Sequence, residues 1–247
     1  MTGEKMTTFT MEFDFGSADQ KAILTELQKS GYSLMAYKGA AGPNQLTSGV
    51  PTWFSVPFGT MFGLVDIDYQ PQYKLYVTNQ SNIAANTTIQ MQSISDALSL
   101  GSAQTFNADG SFVSGGVEGV ASDSLGLFNN RPAGTPPVTV GLAGLVTTPT
   151  GSNYLPFCAF TLHPQNSIVM KPLETILLVA AQQSLKSGSV QANVSAPGCT
   201  FSFNAGTVEY DLQVMPSTYA ITNLPSTPSV KPVSSGSTIG LIVNSGN

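Results

Sequence analysis

The chain has 247 residues, of which 41% are hydrophobic and only 9% are charged, and its formal net charge is −5. This length suits one large all-β domain or two small ones, and the hydrophobic content is sufficient for a core. The nine basic residues are scattered and include a single arginine, Arg131, which argues against nucleic-acid binding and against a polybasic membrane site. A surface of Ser, Thr, Asn, Gln and Gly instead favours neutral partners or dense assembly, because low charge repels other copies weakly.

The N-terminal segment predicts one strand followed by one helix. Apolar side chains occupy every second position over residues 9–15, which is the period of a strand with one buried face. Ser17 and Gln20 then have the spacing of a capping box, so a helix is predicted from there to Lys29, with Gly31 as its stop.

From residue 32 onward, short apolar runs separated by Gly, Pro and Asn predict strands joined by turns, one of which is Gln70-Pro71. Residues 173–185 fit a helix or a buried strand, and we favour the strand. Together these patterns predict an all-β fold, a two-sheet antiparallel sandwich of the jelly-roll type with one short N-terminal helix. The predicted strands are 32–38, 53–58, 61–69, 72–78, 87–94, 138–142, 155–162, 189–194, 199–204 and 207–215.

The chain is predicted to divide into a single β-sandwich domain at 1–222, with a Gly/Ser-rich middle region at 95–152, and a C-terminal extension at 223–247. The extension begins with a Pro/Ser-rich connector and ends in an apolar strand at 238–243. That strand either returns to its own domain or completes a sheet of a neighbouring copy, which makes Ile239, Leu241 and Val243 the candidate assembly residues.

Catalytic side chains are scarce. His163 is the only histidine, and the sequence contains neither a nucleophile elbow nor a phosphate-binding loop, so we expect a protein that is not an enzyme. Cys158 and Cys199 are the only cysteines. Two buried free thiols are the favoured interpretation, and a disulfide is the alternative.

Asp66 and Asp68 are the candidate metal ligands. Two positions apart on a strand, they share a face and could hold a calcium ion, and calcium is the only cofactor that the sequence leaves open. The alternative is a solvated strand face.

Aromatic residues are concentrated between residues 53 and 76, where Phe58 and Phe62 also lie. Alternation divides these rings between two faces, so one set is predicted to be core and the other to be exposed for stacking on sugars or for a membrane interface. The alternative is a sandwich that covers both faces. The candidate ligand-binding residues are Trp53, Phe54, Tyr69, Tyr73 and Tyr76.

Two functions follow from these patterns. The first is a non-enzymatic recognition protein, lectin-like or toxin-like, that contacts neutral glycans or membranes and forms a homo-oligomer. The weakly patterned middle region has the character of segments that pore-forming proteins insert as hairpins, although a long loop explains it equally. The second is a self-assembling capsid, fibre or filament subunit. The polar N-terminus does not resemble a secretory signal, and no apolar run approaches about 20 residues, so we expect cytoplasmic synthesis with release by another route.

Overall fold

A computed structural model describes residues 7–80 and 83–245 of the chain. These residues form two α-helices, α1 (Ala18–Lys29) and α2 (Ile239–Val243), and a 3-10 helix at Phe58–Thr60. The remaining regular structure is extended. In chain order the strands are β1 (Phe9–Asp14), β2 (Ser33–Ala41), β3 (Val50–Pro51), β4 (Phe54–Pro57), β5 (Leu64–Thr78), β6 (Ser93–Ile94), β7 (Ala103–Phe106), β8 (Phe112–Ser114), β9 (Leu125–Asn129), β10 (Val138–Thr148), β11 (Gly151–Pro156), β12 (Phe160–Leu162), β13 (Ser167–Ala181), β14 (Val190–Gln191), β15 (Gly198–Ser202), β16 (Glu209–Val214), β17 (Ile221–Asn223) and β18 (Lys231–Val233).

Two large sheets contain most of these strands. Sheet one has the order β11-β10-β5-β1-β16-β17, with β12 added to β10 and β6 to β5. Sheet two has the order β18-β15-β13-β9-β7-β8, with β2 on β13 and β4 on β2. The inner faces of both sheets contribute to one large apolar cluster, so the all-β sandwich predicted from the sequence is confirmed. The sheets are mixed rather than purely antiparallel, because β1 runs parallel to β16 and β7 runs parallel to β9.

The predicted N-terminal strand and helix are both confirmed. The Ser17 side chain caps α1 by accepting a hydrogen bond from the Gln20 backbone N–H at 3.2 Å. The Gln20 side chain does not complete a capping box. It donates to the Val214 carbonyl at 3.0 Å and accepts from the Val214 N–H at 3.3 Å, which fastens α1 to β16.

The centre of sheet one differs from the prediction in one respect. The predicted turn at Gln70-Pro71 is wrong, because β5 runs through it as one long strand. The register against β10 shifts there, with Gln70 opposite Leu145 and Tyr73 opposite Gly144. Pro71 therefore lies in a bulge, one of the few places in a sheet where a residue without an N–H is tolerated.

Three other segments extend or revise the prediction. Residues 87–94 form only the short strand β6, whereas residues 173–181 are a strand, as favoured. The weakly patterned middle region contains β7 to β10, and β10 lies next to β5 in sheet one. The region therefore contributes strands to both sheets.

The predicted C-terminal strand at 238–243 is wrong, because the segment forms helix α2 and covers the outer face of sheet two. Ile239 and Val243 lie one helical turn apart, and both are buried against Met35, Leu177 and Val179. That face of β2 and β13 is apolar and needs a cover, which a short helix supplies. The predicted N-terminal helix is thus joined by a second short helix near the C-terminal end.

Cys158 and Cys199 are free and buried, which confirms the favoured interpretation. Within the part of the chain that the structure describes, no helix combines the length and the apolar character needed to cross a membrane.

Candidate functional site

The five aromatic residues predicted to bind a ligand are all buried, so the prediction that one set of these rings is exposed is wrong. Trp53, Phe54, Tyr69 and Tyr73 belong to the core between the sheets. Tyr76 points to the outer face of sheet one, but Ile83, Ile89 and Val190 cover it there. Both faces are therefore covered, which was the alternative interpretation of the same alternation.

Phe62, from the same aromatic cluster of the sequence, is the ring that the structure exposes. Its side chain is 69% exposed, and Leu64 beside it is 59% exposed. The 3-10 helix buries Phe58, and Gly63 then turns the chain with a φ of +63°, which leaves Phe62 outside the core. The two apolar side chains lie at the start of β5, at one end of the sandwich.

These residues line a shallow pocket of about 270 Å³, which we call the Phe62 pocket. It combines an aromatic ring, an aliphatic wall, a hydroxyl and a carboxylate within one small concave surface. Its lining residues are Thr60, Phe62, Leu64, Val65, Asp66 and Pro149.

A larger cavity, of about 580 Å³, lies between β18 and the C-terminal helix. Hydroxyl groups of serine and threonine dominate its lining, together with Lys231. The two aromatic residues that border it, Phe201 and Tyr210, are buried and therefore present no ring face for stacking. The Phe62 pocket is therefore the one of these two that presents an exposed aromatic ring.

Carboxylates line up across the outer face of sheet one. The strand register places Asp66 and Asp211 on either side of Glu12, and places Asp68 and Glu209 on either side of Thr10. Asp66 and Asp68 thus share a face, and Asp68 accepts a hydrogen bond from the Thr10 hydroxyl at 2.9 Å. The metal role predicted for these two residues stays a prediction.

A different set of three carboxylates lies close together. Ligand atoms of Glu12, Glu209 and Asp211 lie within 4.8 Å of one another, close enough to share a divalent cation. Sequence reasoning missed this group because β1 and β16 are about 200 residues apart along the chain and pair in parallel, and no local spacing signals such a pairing.

Burial and the surrounding carboxylates of Asp211 and Asp66 raise the pKa of Glu12 above its ordinary value. A carboxyl whose pKa is raised on folding lowers the free energy of unfolding as the pH rises from its unfolded-state pKa to above its folded-state pKa. We therefore expect Glu12→Gln to increase the free energy of unfolding at pH 7 by at most about 1 kcal/mol, because the face is solvated and screened. Urea unfolding at pH 7 and below about pH 4 should show the gain only at the higher pH, since Glu12 is protonated in both states in acid.

Lys38, on β2, lies in the core beside two of the predicted aromatic residues. Its side chain is completely buried, and its Nζ donates to Glu174 Oε2 at 2.8 Å and to the Leu173 carbonyl at 2.7 Å. Nζ also lies 4.4 Å from the ring centre of Tyr69 and 5.9 Å from that of Trp53. Two of the predicted aromatic residues thus lie against the buried Lys38 amine.

The hydroxyls of Tyr69 and Tyr73 contact each other and both reach Glu174 Oε1, at 3.2 Å and 3.0 Å. Burial raises the pKa of both tyrosines well above the ordinary value, so both hydroxyls keep their protons and act as donors. Burial lowers the pKa of Lys38, against the opposing effect of Glu174.

His163 and Cys158 do not form a catalytic pair. His163 is exposed in the turn after β12, whereas Cys158 is buried and its Sγ accepts a hydrogen bond from the Leu142 N–H at 3.2 Å. Burial raises the pKa of the Cys158 thiol to about 12, so the nucleophilic thiolate is disfavoured.

The three candidate assembly residues have different environments. Ile239 and Val243 are buried in the chain's own fold, and Leu241 is 76% exposed. A groove of about 430 Å³ adjoins Leu241, with Leu46 and Val50 in its lining and no charged residue among its lining residues.

Comparison of the chain with protein-family models, with curated proteins and with solved structures gives no match.

Proposed function

We propose that this protein is a non-enzymatic, lectin-like recognition protein that binds neutral glycans at the Phe62 pocket. The observation that carries the proposal is the 69% exposure of an aromatic ring in a pocket that also contains hydrogen-bonding groups. Exposing Phe62 and Leu64 side by side leaves apolar area in water that a partner would cover.

The chemistry of the pocket suits a sugar. The C–H face of a sugar ring stacks on an aromatic ring, and its hydroxyls need acceptors and donors at the edge. Asp66 supplies carboxylate acceptors, and the Thr60 hydroxyl, which donates to the Pro57 carbonyl at 2.8 Å, retains its own acceptor capacity. The acidic rows next to the pocket would repel anionic lipids or acidic sugars, which favours a neutral ligand.

Phe62→Ala is expected to weaken glycan binding at least tenfold, since stacking on the ring and the burial of its surface are both lost. Binding would be measured by screening a glycan array with the wild type and then by calorimetry on the best neutral glycan. The thermal midpoint should stay within a few degrees of the wild type, because the ring is outside the core.

Val113→Ala is the matched control, because Val113 is 48% exposed and does not line the pocket. Equal loss of binding in both variants would contradict the assignment. A different result would be a wild type that binds no glycan but binds zwitterionic phosphatidylcholine vesicles, with Phe62→Ala abolishing that binding. This result would identify the ligand of the pocket as a membrane surface.

A second candidate function is self-assembly, and the surface around Leu241 favours it. The exposed Leu241 side chain and the neutral groove beside it lie on the same surface. Two copies related by a two-fold axis could therefore each insert Leu241 into the groove of the other, as an isologous interface requires. The absence of charge from the groove lining removes one source of repulsion between copies.

Leu241→Asp is expected to convert an oligomer into a monomer, because it would place two carboxylates in an apolar contact. Size-exclusion chromatography with light scattering at several concentrations would measure the particle mass. The variant should keep the wild-type thermal midpoint, because Leu241 is largely exposed. A wild type that stays monomeric at high concentration would rule out this interface.

A further inference from the structure

We infer that Lys38 and Glu174 are joined by an intramolecular isopeptide bond, an amide between Lys38 Nζ and Glu174 Cδ that links β2 to β13 inside the sandwich. The bond is separate from the proposed glycan site and does not depend on it. The inference rests on how the two side chains are held and on what surrounds them.

The amine and the carboxyl group are fixed in contact. Lys38 Nζ donates to Glu174 Oε2 and is also anchored by the Leu173 carbonyl, so its position is set from two sides. Glu174 lies in the irregular part of β13, where the register against β2 shifts between Pro172 and Ile176. Holding two reacting groups in this way replaces a bimolecular encounter with an intramolecular step. This removes the entropic cost of bringing the groups together, which is a large part of the barrier to such condensations.

The surroundings of Lys38 favour its uncharged amine, whereas the Glu174 side chain beside it is 31% exposed. Lys38 has no exposed surface, and the rings of Tyr69, Trp53 and Phe157 lie around its Nζ. The Lys38 ammonium loses its solvation in such a site, so proton transfer from it to the carboxylate costs less there than in water. The lowered pKa of Lys38 agrees with this direction.

The reaction is a condensation that releases one water. A proton moves from Nζ to Oε2 along the existing hydrogen bond and leaves a neutral amine beside a carboxylic acid. The Nζ lone pair attacks Cδ and the electrons of the C=O bond move to Oε1. When this intermediate collapses, the Cδ–Oε2 bond breaks and Oε2 leaves as water with a second proton from Nζ. One proton remains on the amide nitrogen, and the net charge of the protein is unchanged.

Tyr69 and Tyr73 are the positioning residues for this step. Their hydroxyls lie 3.2 Å and 3.0 Å from Oε1, the atom on which negative charge develops. Donors that already point at a developing oxyanion stabilise the transition state without reorganisation. Their high pKa values keep the protons available.

The mass of the intact, denatured full-length protein tests the inference directly. We expect the main species to be lighter than the sequence mass by one water, and tryptic digestion to yield a branched peptide that joins the segments containing Lys38 and Glu174. A chain closed between these residues should also migrate faster than the linear chain on a denaturing gel. A wild-type protein with the full sequence mass would overturn the inference, and so would a water loss that maps elsewhere.

The chain offers an internal control in the ion pair between Lys171 and Asp123. Its Nζ–Oδ2 distance is 2.7 Å, but its side chains are 49% and 52% exposed. No cross-link is expected there, because the Lys171 amine is not enclosed by the protein as the Lys38 amine is, and an equal yield at both pairs would overturn the role given to the burial of Lys38. The double variant Tyr69→Phe/Tyr73→Phe should keep the strand-rich circular dichroism spectrum and show the full mass in most molecules. An unchanged cross-link in that variant would overturn the role given to the two hydroxyls.

Discussion

Trp53→Ala is expected to lower the free energy of unfolding by about 3–5 kcal/mol, the usual cost of removing a large buried aromatic side chain. The indole has no exposed surface, and its ring centre lies 5.3 Å from that of Phe54 and 5.1 Å from that of Tyr69. Its Nε1–H also donates to the Gly144 carbonyl at 3.4 Å, so the substitution removes a contact between the two sheets as well as leaving a cavity. Equilibrium urea unfolding followed by circular dichroism would measure the loss, since Trp53 is the only tryptophan and fluorescence is lost with it.

Phe62→Ala provides the contrast. Both substitutions delete an aromatic ring from the same part of the sequence, yet only Trp53 belongs to the core. The free energy of unfolding of Phe62→Ala should therefore lie within about 0.5 kcal/mol of the wild-type value. Similar losses for the two variants would mean that the end of the sandwich is packed differently from the structure.

The sequence predicted the elements whose signals are local. The alternation of β1 and the cap of α1 lie within a few residues of the structures they determine, and both were predicted correctly. The Gln70-Pro71 turn was mispredicted because proline also occurs at bulges, and only the register against β10 distinguishes a bulge from a turn.

Exposure depends on residues that are remote in the sequence, and this is why the exposure of the aromatic residues was mispredicted. Tyr76 is covered by Ile83, Ile89 and Val190, and the last of these is more than 100 residues away. A period of two shows that a strand has two faces but not what covers the second one. Phe62 was part of the predicted aromatic cluster, but only the turn at Gly63 shows that its ring is the exposed one.

The C-terminal extension illustrates the same limit. Six residues of mixed apolar character fit a strand or a helix equally, and tertiary contacts decide between them. Two contacts with β2 favour the helix here. Gly39 has no Cβ and so allows the Val243 carbonyl to approach closely, and Asn244 Oδ1 accepts a hydrogen bond from the Ala40 N–H at 3.0 Å. A helix that ends on these two contacts covers Met35 and Leu177, which a separate strand would leave exposed.

Gly141 in β10 has a similar role at the centre of sheet one, and Gly141→Ala is expected to cost about 3 kcal/mol or more of unfolding free energy. A Cβ at this position would overlap the Cys158 carbonyl oxygen and lie 2.7 Å from a ring carbon of Tyr76. Neither neighbour can move away easily. Cys158 and Tyr76 are both buried, and the Tyr76 hydroxyl donates to that same carbonyl at 2.6 Å.

Gly59→Ala is the matched substitution. It adds the same methyl group and restricts the unfolded chain in the same way, but a Cβ there meets nothing within 4 Å. In urea unfolding of the two variants side by side, the free energy of unfolding of Gly59→Ala should lie within about 0.5 kcal/mol of the wild-type value. The difference between them isolates the lack of space at Gly141 from the loss of backbone freedom. Equal stabilities would show that β10 and the segment around Cys158 lie farther apart than the structure places them, and the cover over Tyr76 would then have to be reconsidered with them.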